Sequence, residues 1–85
     1  MATISEKALS IFAFAVYHQL ESGQPVKKVI REDGKGHQAD PDGVQELEAG
    51  GFASVQGNDI VFSETGLTVL KSAVDGLKSA AQGTN

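Results

Sequence analysis

The cations of this chain are gathered in one stretch. Lys27, Lys28, Arg31 and Lys35 are four of its seven Lys and Arg residues, and His37 stands beside them. Such a cluster can contact an anion: a phosphate backbone, an acidic partner, or an acidic helix of a second copy. It can equally be the solvated face of a short helix, balanced by Glu32 and Asp33. Gly34-Lys35-Gly36-His37 has the composition of a phosphate cradle, since Gly amides can approach oxygens closely. The nucleotide-binding loop needs a longer Gly span and a Ser or Thr after its Lys. Gly follows Lys35 here, so the tetrapeptide reads as a helix-ending turn.

Metal and catalytic chemistry find less support. His18, His37, Asp40 and Asp42 are ligand types, but nothing in their spacing holds His18 near the others. Asp40-Pro41-Asp42-Gly43 superficially resembles a calcium loop, yet its Gly comes too early and the alternating third ligand is missing. An N-cap explains it more simply. The chain has no Cys, which removes thiol nucleophiles, disulfides and Cys-ligated zinc and suits a reducing compartment. It also lacks a Gly-x-Ser-x-Gly elbow. No enzyme activity, cofactor or bound metal is expected.

Eighty-five residues make one domain, expected over 1–82, with 83–85 as a loose tail. The formal net charge of −4 opposes nucleic acid overall. Ala8 to Tyr17 is apolar apart from Ser10, but too short to cross a bilayer. Glu6 cancels Lys7 at its start, so it does not read as a signal peptide. The expectation is a cytoplasmic protein with no membrane partner.

The elements follow from hydrophobic spacing and punctuation. A first helix is expected over about Ile4 to Ser22, with Thr3-x-x-Glu6 as a capping box and Gly23 as its stop. Leu9, Phe12, Ala13, Val16 and Leu20 form the expected core stripe. Ile11, Phe14 and Tyr17 lie off it and suggest a second buried face. Pro25 to Asp33 favours a short helix over a strand, because Val29-Ile30 breaks alternation. Asp40 caps the next helix, with Pro41 at its first position and Val44 and Leu47 inward. Gly50-Gly51 stop it. A hairpin over Phe52–Val55 and Ile60–Phe62 turns at Gly57-Asn58-Asp59. The last helix runs from after Ser63 to about Gln82. One seam carries Leu67, Leu70, Val74, Leu77 and Ala81; a second carries Val69, Ala73, Gly76 and Ala80. Gly76 suggests close helix approach, since Gly costs about 1 kcal/mol relative to Ala inside a helix.

From Pro25 to Leu70 this order is similar to winged helix-turn-helix regulators of the MarR and PadR kind. The matching motifs are Leu47-Glu48-Ala49-Gly50-Gly51-Phe52 and Phe62-Ser63-Glu64-Thr65-Gly66. The resemblance implies a mainly α fold with a small β-hairpin, in the order helix, helix, turn, helix, wing, helix. It also implies that the helix after Pro41 would enter the major groove. That helix instead carries Asp42, Gln45, Glu46 and Glu48, which phosphates repel, and the wing has no Lys or Arg.

Two functions compete. One is a non-enzymatic interaction module that binds a second copy or another protein through Ile11, Phe14, Tyr17, Val69, Ala73, Gly76 and Ala80. The other is a DNA-binding regulator that uses Lys27, Lys28, Arg31, Lys35 and His37 on the phosphate backbone.

Overall fold

The computed structural model describes residues 4–32, 34 and 38–82. Within them run α1 (Glu6–Ser22), β1 (Lys28–Ile30), α2 (Pro41–Ala49), β2 (Ala53–Gln56), β3 (Asp59–Phe62) and α3 (Glu64–Gln82). The class is α+β: three helices and a small antiparallel sheet of order β1-β3-β2. Thr3, the Gly34–His37 turn beyond Gly34 itself, and the expected tail at 83–85 lie outside the described residues.

Helix α1 is capped by Ser5, and Glu6 is its first residue. The Ser5 hydroxyl accepts from the Ala8 amide at 3.3 Å and donates to the Glu46 carboxylate of α2. The same carboxylate accepts from the Ser5 amide at 3.1 Å, placing an anion at the positive end of α1. Gly23 ends the helix in the left-handed region at φ 75°, as expected.

The face that α1 buries differs from the expected one. Ala8, Ile11, Phe12, Ala15 and Val16 are buried, while Leu9, Ala13 and Leu20 are exposed. The true stripe is spaced 3, 1, 3, 1, and two of its members are Ala. Small residues there let α2 come close: a Cβ on Gly43 would sit 2.7 Å from the Lys7 carbonyl oxygen. Ile11, expected at an interface, is a core residue for this reason.

The segment from Pro25 holds strand β1, not the expected helix. Three of the five residues Val26 to Ile30 are β-branched, and a helix that short has little stability of its own. Pairing with β3 supplies the missing partner, with Lys28 opposite Val61 and Ile30 opposite Asp59. Among the described residues, no helix therefore precedes α2 across a turn.

Helix α2 begins as expected. The Asp40 carboxylate accepts from the Asp42 amide at 2.9 Å and the Gly43 amide at 3.3 Å, with Pro41 at the first position. Gly51, at φ 78°, reverses the chain into β2. The hairpin pairs Ala53 with Phe62 and Gln56 with Asp59. Val29, Ala53, Ile60 and Phe62 share the sheet face that the helices cover. Lys28, Ile30 and Ser54 stand on the opposite face and are exposed. Phe12 stacks on Phe62 at 5.4 Å and meets Phe52 edge-on at 6.0 Å, which joins α1 to the hairpin.

Ser63 links the hairpin to α3. Its hydroxyl accepts from the Gly66 amide at 3.1 Å and donates to the Gly51 carbonyl at 2.6 Å. Gly66 is required here, since a Cβ would lie 2.1 Å from the Phe52 carbonyl oxygen. Gly66, Leu70 and Val74 are buried, and every residue from Asp75 to Gln82 is exposed. Among the described residues, no helix is long and apolar enough to cross a membrane.

Candidate interaction surfaces

The second apolar stripe of α1 meets α3 along a groove of ≈ 510 Å³. Its walls are Leu9, Ala13, Val16, Tyr17 and Leu20 from α1 and Val69, Ala73 and Leu77 from α3, with Phe12 at its floor. No charged side chain lines it. Leu9 is 47 % exposed, Tyr17 58 %, Leu20 43 % and Leu77 50 %. Side chains of this size are among those a fold most often buries. They are contiguous here, and contiguity is what distinguishes a contact surface from scattered apolar residues.

Three residues expected at an interface, Tyr17, Val69 and Ala73, line this groove. Gly76 and Ala80 lie on the exposed half of α3, and a Cβ on Gly76 would meet nothing within 4 Å. Among the described residues it has no close neighbour. Phe14 is half-buried on the other flank of α1, with its ring 4.3 Å from that of His18 in an edge-on contact. Leu9 and Leu20 belong to the expected core stripe of α1, and Leu77 to the first seam of α3. The signal that separates them is the tighter Ala8-Ile11-Phe12-Ala15-Val16 pattern, which gives α1 a core stripe without Leu9 or Leu20.

Among the described residues, Lys27, Lys28 and Arg31 do not form one patch. A helix would have kept Lys27, Lys28 and Arg31 near one another, whereas a strand alternates them. Lys28 points to the open face of the sheet, where its ammonium pairs with Asp59 at 3.2 Å. Lys27 lines a cleft with Gln19, Leu67 and Lys71. Arg31 borders a polar groove of ≈ 500 Å³ beneath α2, beside Glu32, Gln45 and Glu48. Lys35 and His37 lie outside the described residues.

Helix α2 is less uniformly exposed than expected. Glu46 turns onto Ser5, and Asp42 approaches Lys7 at 3.4 Å. Gln45 and Glu48 alone of its expected polar set remain on the outer groove. His18 and Asp40 are not brought together: among the described residues, no group of three His, Cys, Asp or Glu is placed to hold a metal. On α3, Lys71 and Asp75 pair at 2.9 Å. That hydrogen bond, and then the attraction of the two charges, raises the Lys71 pKa and lowers that of Asp75.

No family model, curated protein or solved structure matches the chain.

Proposed function

We propose that this chain is a small winged-helix-like interaction module that homodimerises through α1 and α3. The observation that carries the reading is the apolar groove between those helices, with four large side chains half-exposed along it. The overhang of α3 supports the same reading. An isolated helical end is marginal in water and gains stability when its apolar side is packed. Two copies can meet about a twofold axis, each covering the groove of the other with the same surface. Such an interface needs about 800 Å² from each partner.

The winged-helix likeness rests on the hairpin after α2 and the Ser63 junction into α3. The alternative, a DNA-binding regulator, is less favoured because alternation along β1 separates Lys27, Lys28 and Arg31. The module has no catalytic role in this reading, and its cysteine-free sequence suits the cytoplasm.

Sedimentation velocity over a wide concentration range tests the proposal. The expected result is a dimer that Leu77→Glu converts to a monomer with an unchanged circular dichroism spectrum. A wild-type protein that stays monomeric at high concentration would remove the dimer. Duplex DNA that shifts the sedimentation boundary, in a manner abolished by Lys27→Glu and Lys28→Glu, would favour the regulator.

A further inference from the structure

A separate cleft opens on the other flank of α3. It holds ≈ 300 Å³ and lies between the end of α1, the segment leading into β1 and the packed half of α3. It shares no lining residue with the α1–α3 groove. Its floor is apolar: Leu70 is buried, and Val26 and Leu67 are half-buried. Its polar members are Gln19, Lys27 and Lys71, and both lysines are exposed at its rim. Among the described residues no carboxylate lines it, although the chain carries a net charge of −4.

The three polar side chains all offer donors. The Gln19 side-chain carbonyl accepts from the Val26 amide at 3.4 Å, which leaves the amide nitrogen as its free end. That nitrogen has no acceptor among the described residues. The Lys27 ammonium has no ion-pair partner among them either. Its backbone carbonyl accepts from the Phe62 amide at 3.0 Å, which ties the root of this side chain to β3. The Lys71 ammonium pairs with Asp75, a residue outside the cleft. Both partners of that pair are exposed, so it is weak, and a second carboxylate can share or replace it.

Donors at the rim and an apolar floor specify a ligand in two parts. Lysines are compact point charges, and two of them with one amide suit a single anionic head. The cleft has no Arg fork for a phosphate. It has no run of backbone amides either, since Pro25 lacks one and the Val26 amide is taken by Gln19. The head is therefore a carboxylate. The floor suits an aliphatic chain. At about 30 Å³ for each water-sized group, the volume takes about ten non-hydrogen atoms. We infer that this cleft binds a medium-chain aliphatic carboxylate, its head held by Gln19, Lys27 and Lys71 and its chain laid on Val26, Leu67 and Leu70.

The probe is octanoate, which matches that size. It is titrated into isotope-labelled full chain, dilute enough to be monomeric, and followed by amide NMR. Saturable shifts at Gln19, Val26, Lys27 and Lys71 are expected, with a dissociation constant of about 1 mM. Hexanoate, shorter by two methylenes, should bind about tenfold more weakly. Octylammonium should not bind. Lys27→Gln should weaken octanoate about fivefold or more. Asp75→Asn releases Lys71 and should strengthen octanoate by about twofold or more, a gain that a purely structural Lys71 would not give. The proposal is overturned by an absence of saturable shifts well above millimolar octanoate, or by equal binding of octylammonium. It is equally overturned if neither Lys27→Gln nor Asp75→Asn changes the affinity. Acetate that bound as well as octanoate would reduce the cleft to a nonspecific anion contact. Shifts confined to Leu9, Tyr17 and Leu77 would place the chain in the α1–α3 groove and overturn it too. Octyl phosphate that bound about tenfold more tightly than octanoate would make the head a phosphate and overturn the carboxylate.

Discussion

The two halves of α3 share a sequence pattern and have different surroundings. From Glu64 to Val74 the helix is built into the fold: Gly66 fits against the Phe52 carbonyl, and Leu70 and Val74 are buried. From Asp75 to Gln82 the same seam continues through Leu77 and Ala81, yet among the described residues no side chain of this half is buried, and Leu77 is half-exposed at the end of the α1–α3 groove. The difference teaches that periodicity reports a face able to be buried. It does not report whether the same chain supplies the cover.

The sharpest way to break the comparison uses the same residue twice. Leu70 is 2 % exposed and Leu77 is 50 %. Leu70→Ala should lower stability by about 2–5 kcal/mol, through lost burial and the cavity left behind. Few domains of this size have much more than that in reserve. Leu77→Ala at concentrations where the protein is monomeric should change stability by about 0.5 kcal/mol or less. Urea unfolding of both variants at low and high protein concentration separates the cases. At high concentration Leu77→Ala should become destabilising relative to wild type, because it weakens the assembled state that binding stabilises. Equal losses for the two variants in dilute solution would mean that Leu77 is already buried within one chain.

Two glycines sharpen the same contrast with smaller effects. Gly66→Ala forces a Cβ against backbone and should destabilise by about 1–3 kcal/mol. Gly76→Ala meets open space within the chain, so the monomer should gain about 1 kcal/mol from helix propensity alone. If Gly76 lies at the dimer axis, the same change should weaken self-association while it stabilises the monomer. Thermal melts and sedimentation on one sample measure both effects.

The sequence made several elements legible because their signals are local. Asp40-Pro41 marks a cap and a first helical position, Gly50-Gly51 a helix stop, and Gly57-Asn58-Asp59 a hairpin turn. The structure has each of them in place. The misreadings concern partners distant in the chain. Val29 and Ile30 have helical spacing, but β3 lies some thirty residues on and draws them into a sheet. With that change the cation cluster loses its common face. On α1, the larger Leu9 and Leu20 outweighed Ala8 and Ala15 in the expected stripe. Close approach of Gly43 makes the small residues the buried ones. The surplus of apolar residues on α1 and α3 is visible in the sequence, but the groove between them is lined by Leu9, Leu20 and Leu77 with Tyr17, Val69 and Ala73, and not by the expected Ile11, Phe14, Gly76 and Ala80.

The smallest effect is expected where the two halves of α3 join. Lys71 belongs to the packed half and Asp75 begins the projecting one, and their ion pair at 2.9 Å spans the boundary. Both side chains are exposed, so the pair contributes little and salt should weaken it further. Its pH dependence has a definite sign. The Asp75 pKa is lowered from 3.8 in the folded state, first by the hydrogen bond from Lys71 and then by its charge. The stabilisation is therefore present above 3.8 and fades as pH falls through the lower folded value. The Lys71 pKa is raised from 10.5, so its share is lost as pH rises through that higher value. Asp75→Asn should melt slightly below wild type at neutral pH, and the two curves should converge in acid and in high salt. The projecting half would fray first, seen as lost helix signal without loss of the Phe12–Phe62 core contact. If Asp75→Asn instead lowered the cooperative unfolding of the whole domain, the two halves of α3 would form one folding unit. The exposed seam beyond Val74 would then be stabilised by its own chain, with no second copy required.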